Sequence, residues 1–265
     1  LVHGFSTGFT PTGATAFISD IVPASKRGEA MGLVGTAGSV GTAAGPAIGG
    51  SLANHFSLDF VFYCSAFFAI SSILIVFGIK ETVGHKNKFK ASMLKISKHE
   101  LFERRVWLPC LIMALSVYAY GTVYTIIPDF GEYAGIKNKG LLFTFLTVAS
   151  LAVRLIAGKA SDHYGRKSVL KISTLIILAA MLMLGFSSSP RHLMIGVTLY
   201  GLAQGMTSPT LLAWAADLSD INNRGKGISS LYIFMEFGIF CGSIASGFIY
   251  GNDPDNFLIT FIVSG

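Results

Sequence analysis

Apolar residues in this chain gather into long runs, at about residues 1–19, 29–53, 58–79, 106–128, 140–158, 168–187, 193–216, 227–250 and from 256 onward. Runs of roughly twenty residues predict helices that cross a hydrocarbon core of about 30 Å, and in lipid each helix satisfies its own backbone groups. The pattern therefore predicts an all-α membrane protein with eight spans and the start of a ninth. Turn-prone connectors mark the breaks: Asn54 to Ser57, the serine run ending at Pro190, and Gly251 to Asn256.

Charge orients these spans. One side collects Lys26 and Arg27, eight basic residues from Lys80 to Arg105, then Arg154, Lys159, Arg166, Lys167 and Lys171, and finally Arg224 and Lys226. That is seventeen of the twenty Lys and Arg residues; the other side holds Lys137, Lys139 and Arg191. The positive-inside rule makes the first side cytoplasmic. Composition agrees with a membrane chain: 52% of residues are hydrophobic and 13% charged, where a soluble domain carries about 25% charge. A formal charge of +6 raises nucleic acid as a partner, but the basic residues sit in short segments without aromatic interleaving, which argues against it. Cys64, Cys110 and Cys241 are isolated in separate spans and read as small packing residues. The chain opens inside one apolar run and closes inside another, so a fragment of a longer protein is expected.

An internal repeat fixes the expected architecture. A shift of 197 residues places Gly4 on Gly201, Gly8 on Gly205, Thr10 on Thr207, Asp20 on Asp217, Arg27 on Arg224, Gly41 on Gly238, Gly45 on Gly242 and Gly50 on Gly247. Both copies keep one orientation to the membrane, the mark of a parallel duplication.

Between the fifth and sixth runs lies GKASDHYGRK, in which Gly158, Asp162, Gly165, Arg166 and Lys167 match G-x-x-x-D-x-x-G-R-K. This resembles the loop signature of the major facilitator superfamily of secondary transporters. Gly41, Gly45, Pro46, Gly49 and Gly50, in GTAAGPAIGG, resemble the glycine-proline signature of its proton-coupled exporters. The resemblance implies two pseudo-symmetric six-helix halves, of which the chain holds helices four to the start of twelve. Residues 1–79 then end the N-terminal half, 80–105 form a central cytoplasmic linker, and 106–265 form the C-terminal half. The linker reads equally as a helix lying on the lipid surface or as a solvated basic segment. The family's loop acts as a latch between halves, which implies that Asp162 docks near the span after Arg27. The D-x-x-x-x-x-x-R-G pairs, Asp20 with Arg27 and Asp217 with Arg224, are gating candidates beside it.

Helical spacing nominates residues facing a pathway. Tyr200, Gln204, Thr207 and Trp214 share a narrow arc of one helix, and the repeat maps them to His3, Thr7, Thr10 and Phe17; Tyr118, Thr122, Thr125 and Asp129 share a face of another. Polar and aromatic stripes on membrane helices face a cavity or make packing hydrogen bonds. Glu236 lies about nine residues into its span, where a carboxylate is costly unless protonated, paired or wet. It is a candidate for proton coupling or for a structural pair, with Asp129 and His3 as further proton-coupling candidates. Arg154 is expected to snorkel or to pair with Asp162.

No nucleophile elbow, phosphate-cradling loop or metal-ligand spacing is present, so neither an enzyme nor an ATP-driven pump is expected, and no cofactor or metal. The reading is a proton-coupled exporter of a small organic or amphipathic solute, monomeric, in the bacterial cytoplasmic membrane. A proton-coupled or facilitative importer of sugars or similar solutes is the alternative, and a non-transporting sensor or scaffold is the alternative of another class.

Overall fold

The computed structural model describes residues 27–79, 102–219 and 224–265, together with Ala14, Phe17, Ile21 and Val22. In chain order its helices are α1 (Arg27–His55), α2 (Leu58–Val76), α3 (Trp107–Tyr133), α4 (Gly140–Tyr164), α5 (Arg166–Gly185), α6 (Pro190–Leu218), α7 (Arg224–Tyr250) and α8 (Phe257–Ser264), with 3-10 turns before α3 and α8. Among the described residues there is no strand. The protein is all-α, as its apolar runs predict.

Helix ends follow local chemistry. Ser57 caps α2 by accepting from the Phe60 amide at 3.2 Å. Ser189 caps α6 by accepting from His192 at 3.3 Å, and Pro190, which has no N–H to satisfy, opens that helix. The turn from α4 to α5 is Gly165 alone, at φ 86°, where an L side chain is strained. The loop expected from Gly158 to Lys167 is thus a single-residue break. Gly158 and Asp162 lie inside α4, which runs to Tyr164 and bends by 45° between Arg154 and Ile156.

Four described helical stretches are long and apolar enough to cross a membrane, and α4 becomes a fifth if its bent parts form one span. The glycine-rich α1 and the hydroxyl-rich α6, both of 29 residues, are not among them. Large apolar side chains point outward. On α2 no residue is buried, and Phe62, Phe68, Ile75 and Val76 lie open, as lipid rather than water demands.

Close packing rests on glycine. A Cβ on Gly238 or Gly242 of α7 would collide with the carbonyl oxygens of Ala114 or Tyr118 on α3. A Cβ on Gly201 or Gly205 of α6 would collide with those of Leu146 or Ser150 on α4. These four are the repeat partners of Gly41, Gly45, Gly4 and Gly8, respectively, in the shifted alignment. Among the described residues, nothing lies within 4 Å of a Cβ placed on Gly41 or Gly45, and one on Gly49 meets Val61 alone. Gly50 is the tight member, with Asn138 occupying the place of its Cβ.

Candidate functional site

A cavity of about 500 Å³ opens where α1 faces α3, α4, α6 and α7. Each wall contributes one helical stripe. Gly38, Ser39 and Thr42 come from α1, Val117, Tyr120 and Tyr124 from α3, and Thr147, Ser150 and Arg154 from α4. Gln204 and Ser208 come from α6, and Met235 and Glu236 from α7. Arg154 and Glu236 thus face one cavity from different helices. Both are exposed to it, and among the described residues neither makes a hydrogen bond or an ion pair. The expected partnership of Arg154 with Asp162 does not form, because eight residues of helix put about 12 Å of rise between them, and Asp162 is taken by Arg166. Tyr120 and Tyr124 stack with ring centroids 4.2 Å apart, and Phe143 extends the stack at 4.8 Å from Tyr124.

At the end opposite the basic loops α1 meets the start of α4. Asn138 donates to Ser51 Oγ at 3.0 Å and to the Ala47 carbonyl at 3.3 Å, while its Oδ1 accepts from the Gly140 amide at 3.0 Å. Asn54 donates to the Lys137 carbonyl at 2.9 Å, and Thr144 to the Ala43 carbonyl at 2.7 Å. Gly140 lies so close to Pro46 that a Cβ would overlap the proline carbonyl. Pro46 and Gly50 of the glycine-proline motif therefore meet α4 directly.

At the basic end Arg166 ties three helices together. Its Nε donates to Asp217 Oδ2 at 3.0 Å, and its Nη1 to Ser161 Oγ at 2.7 Å and to Asp162 Oδ1 at 2.5 Å. The planar fork spans the end of α4, the start of α5 and the end of α6. The partner of Asp162 is therefore Arg166. The expected docking of Asp162 near the span after Arg27, and the gating roles of Arg27 and Arg224, rest on side chains outside the described residues.

Several expected lining residues lie elsewhere. Tyr118 and Trp214 line a second, apolar cleft of about 1010 Å³ with Lys167 and Lys171, among α3, α5, α6 and the end of α8. Thr122 is fully buried and donates to Ser264 Oγ at 2.8 Å, and Thr207 is buried and donates to the Ala203 carbonyl at 2.9 Å. These are packing hydrogen bonds. Tyr200 is fully buried behind the wall. Thr125 and Asp129 are exposed but do not line the cavity, and Thr125 donates to the Gly121 carbonyl at 2.8 Å. Of the first-copy stripe only Phe17 is described, as a half-buried helical residue; His3, Thr7, Thr10 and Asp20 lie outside the described residues, as do residues 80–101 of the linker. Sequence reasoning missed Tyr120, Tyr124, Ser150 and the asparagines that hold α1 to the start of α4. The signal for the tyrosines was their own i, i+4 spacing, about 200° around α3 from the stripe through Tyr118.

The described helices thus frame a polar, ionisable cavity, with α1 and α4 joined by hydrogen bonds at one end and a charged clamp at the other. Comparisons place the chain. The family model of the Major Facilitator Superfamily matches residues 1–141 and again residues 110–265, and the chain belongs to that family, whose members are transporters rather than enzymes. An uncharacterized MFS-type transporter of Methanocaldococcus jannaschii is 25% identical over 256 residues, covering 92% of this chain and 65% of its own length. The multi-drug resistance efflux pump PmrA of Streptococcus pneumoniae is 26% identical over 251 residues, covering 92% of this chain and 62% of its own. The multidrug resistance protein MdtG of Salmonella dublin is 28% identical over 258 residues, with 91% and 61% covered. The chain thus spans somewhat less than two thirds of the length of these relatives. Among solved structures, a bacterial homologue of the human lysosomal transporter Spinster, inward-facing and unoccupied, superposes with a TM-score of 0.58 at 15% identity, over 95% of this chain and 64% of its own. That likeness shows the fold.

Proposed function

We propose that this protein is a secondary active transporter that exports a small organic, amphipathic solute by alternating access in exchange for protons, with Glu236 as the coupling carboxylate. The observation that carries the reading is Glu236 itself: a carboxylate that makes no hydrogen bond or ion pair among the described residues, lining one cavity with an Arg154 that makes none either. In a span such a group is retained for a pathway or a proton. Ionised, Glu236 attracts Arg154 and draws α7 toward α4. At about 4 Å and an effective dielectric of about 20 that attraction is worth about 4 kcal/mol, reduced by the cost of desolvating both groups. Protonated, it releases the arginine. A solute competing for the same groups is displaced as the proton arrives, which couples the two movements.

The names of PmrA and MdtG describe drug efflux by those proteins, and their likeness supports export over import. The seventeen basic residues on one side support a cytoplasmic basic end, in a monomer held in the cytoplasmic membrane of a bacterium. The hydrogen bonds that hold α1 to the start of α4 at the opposite end support a state open to the cytoplasm.

The test is proton movement in proteoliposomes, wild type against Glu236→Gln, with cationic and neutral amphiphiles added inside or outside. Solute-evoked proton flux that disappears in the variant while solute binding survives supports the reading. Unchanged coupled flux removes Glu236 from coupling. Solute flux with the same direction as the protons identifies an importer, and no flux of any solute favours a sensor or scaffold.

A further inference from the structure

Among the described residues that line the cavity only two are charged, Arg154 of α4 and Glu236 of α7, and both side chains are exposed to it. Arg154 lies ten residues before the end of α4 at Tyr164, and Glu236 twelve residues after the start of α7 at Arg224. At 1.5 Å of rise per residue, about 15 Å and about 18 Å of helix separate them from the basic end. They therefore face the cavity at similar depth from two walls, and none of the described ion pairs joins them.

Beside Glu236 the wall is aromatic. Tyr120 and Tyr124 both line the cavity and are partly exposed there, stacked with centroids 4.2 Å apart. The Tyr120 hydroxyl is within electrostatic reach of the Glu236 carboxylate. The guanidinium of an arginine keeps its charge, so with Glu236 ionised the cavity carries one charge of each sign next to a pair of flat rings. A cationic solute satisfies Glu236 and meets repulsion from Arg154; an anionic solute does the reverse. Either leaves one charge in a poorly solvated place without a counter-charge, which is costly.

We infer that the cavity takes an amphoteric aromatic solute, a ring system that carries both a carboxylate and a cationic nitrogen. Arg154 binds the carboxylate through its planar fork, Glu236 binds the cationic nitrogen, and the ring lies against Tyr120 and Tyr124. Selection works by repulsion as well as attraction, because each singly charged analogue faces a like charge across the cavity. This inference names the solute class of the proposed transporter and rests on the reading of this cavity as its solute path; a proton arriving at Glu236 then frees the cationic end.

Rhodamine 110 and rhodamine 123 test it as a matched pair. The second is the methyl ester of the first, so the xanthene cation is kept and only the free carboxylate is lost. Fluorescein keeps the carboxylate and lacks the cationic nitrogens. Binding of the three dyes to the purified protein in nanodiscs of neutral lipid is measured by fluorescence anisotropy near neutral pH, with empty discs subtracted. The proteins compared are wild type, Arg154→Gln, Arg154→Lys and Glu236→Gln. The wild type is expected to bind rhodamine 110 at least about tenfold more tightly than either other dye, the worth of one charge-assisted hydrogen bond. Arg154→Gln removes the preference over rhodamine 123 by weakening rhodamine 110 alone, and Arg154→Lys, which keeps the charge, retains it. Glu236→Gln removes the preference over fluorescein. Equal wild-type affinity for rhodamine 110 and rhodamine 123 overturns the inference without recourse to any variant. So does a preference over rhodamine 123 that survives Arg154→Gln, since the carboxylate is then bound elsewhere. Proton-driven dye flux measured in parallel separates the two claims. Coupled export without a preference for rhodamine 110 in binding sinks the amphoteric class and leaves export standing; the preference without coupled flux keeps the class and sinks export.

Discussion

Replacing Asn138 by alanine removes the centre of the clasp between α1 and α4. Two donated hydrogen bonds to α1, at Ser51 and Ala47, are lost together with the bond accepted from Gly140. Each is worth about 0.5–1.5 kcal/mol net; all three are partly exposed and the Ala47 bond is long, so about 2 kcal/mol in total is a reasonable magnitude. The bonds to α1 exist only while α1 and α4 are together, so most of that energy separates closed from open. A loss of about 2 kcal/mol shifts the equilibrium toward opening by about thirtyfold. The readout is a cysteine at Thr42, which lines the cavity, in a background with Cys64, Cys110 and Cys241 replaced by alanine. A membrane-impermeant maleimide is applied from the side opposite the basic loops. Asn138→Ala is expected to raise the labelling rate at least tenfold, and Asn138→Asp, which keeps the acceptor for Gly140, to fall between. A change below twofold in a folded protein refutes the reasoning, because the clasp then contributes nothing to closure.

Three further outcomes follow from the packing. Gly242→Ala places a Cβ against the Tyr118 carbonyl and is expected to cost about 1–3 kcal/mol, read as a lower unfolding temperature in detergent. Gly247→Ala on the same helix meets nothing within 4 Å, so it is expected to be neutral or to raise that temperature; equal losses for both refute the glycine-seam account. Arg166→Lys keeps the charge but loses the fork that reaches Asp217, Ser161 and Asp162 together. Both carboxylates are more than half exposed, so a stability loss of no more than about 1 kcal/mol is expected, with slower solute flux as the larger effect; a large unfolding shift with normal flux would make the clamp purely structural.

The helices were legible because lipid leaves few alternatives: a run of apolar residues must close its own hydrogen bonds, and α2, α3, α5 and α7 follow their runs closely. The glycines of the second copy have a physical reason, since close helix contact excludes a Cβ at Gly201, Gly205, Gly238 and Gly242. Helix phase was harder. α3 carries two stripes with hydroxyl or aromatic groups, one through Tyr118 and Thr122 and one through Tyr120 and Tyr124, and only the position of its neighbours decides which one sees the cavity. Arg154 and Glu236 are 82 residues apart and share no local pattern, so their common cavity emerges only from tertiary packing. The fold of the latch illustrates the opposite limit. Charge in GKASDHYGRK looks like a loop, yet α4 continues through it to Tyr164, and Asp162 and Arg166 pair across the break at Gly165.

The central claim, proton-coupled export through this cavity, is met most directly by dye uptake into vesicles whose basic loops face outward, with an acidic lumen and the membrane potential clamped at zero. Rhodamine 123 is predicted to accumulate inside against its gradient, to stop when a potassium–proton exchanger collapses the pH difference, and to stop in Glu236→Gln. Accumulation that ignores the pH difference, or that appears only when the gradient is reversed, would contradict the account.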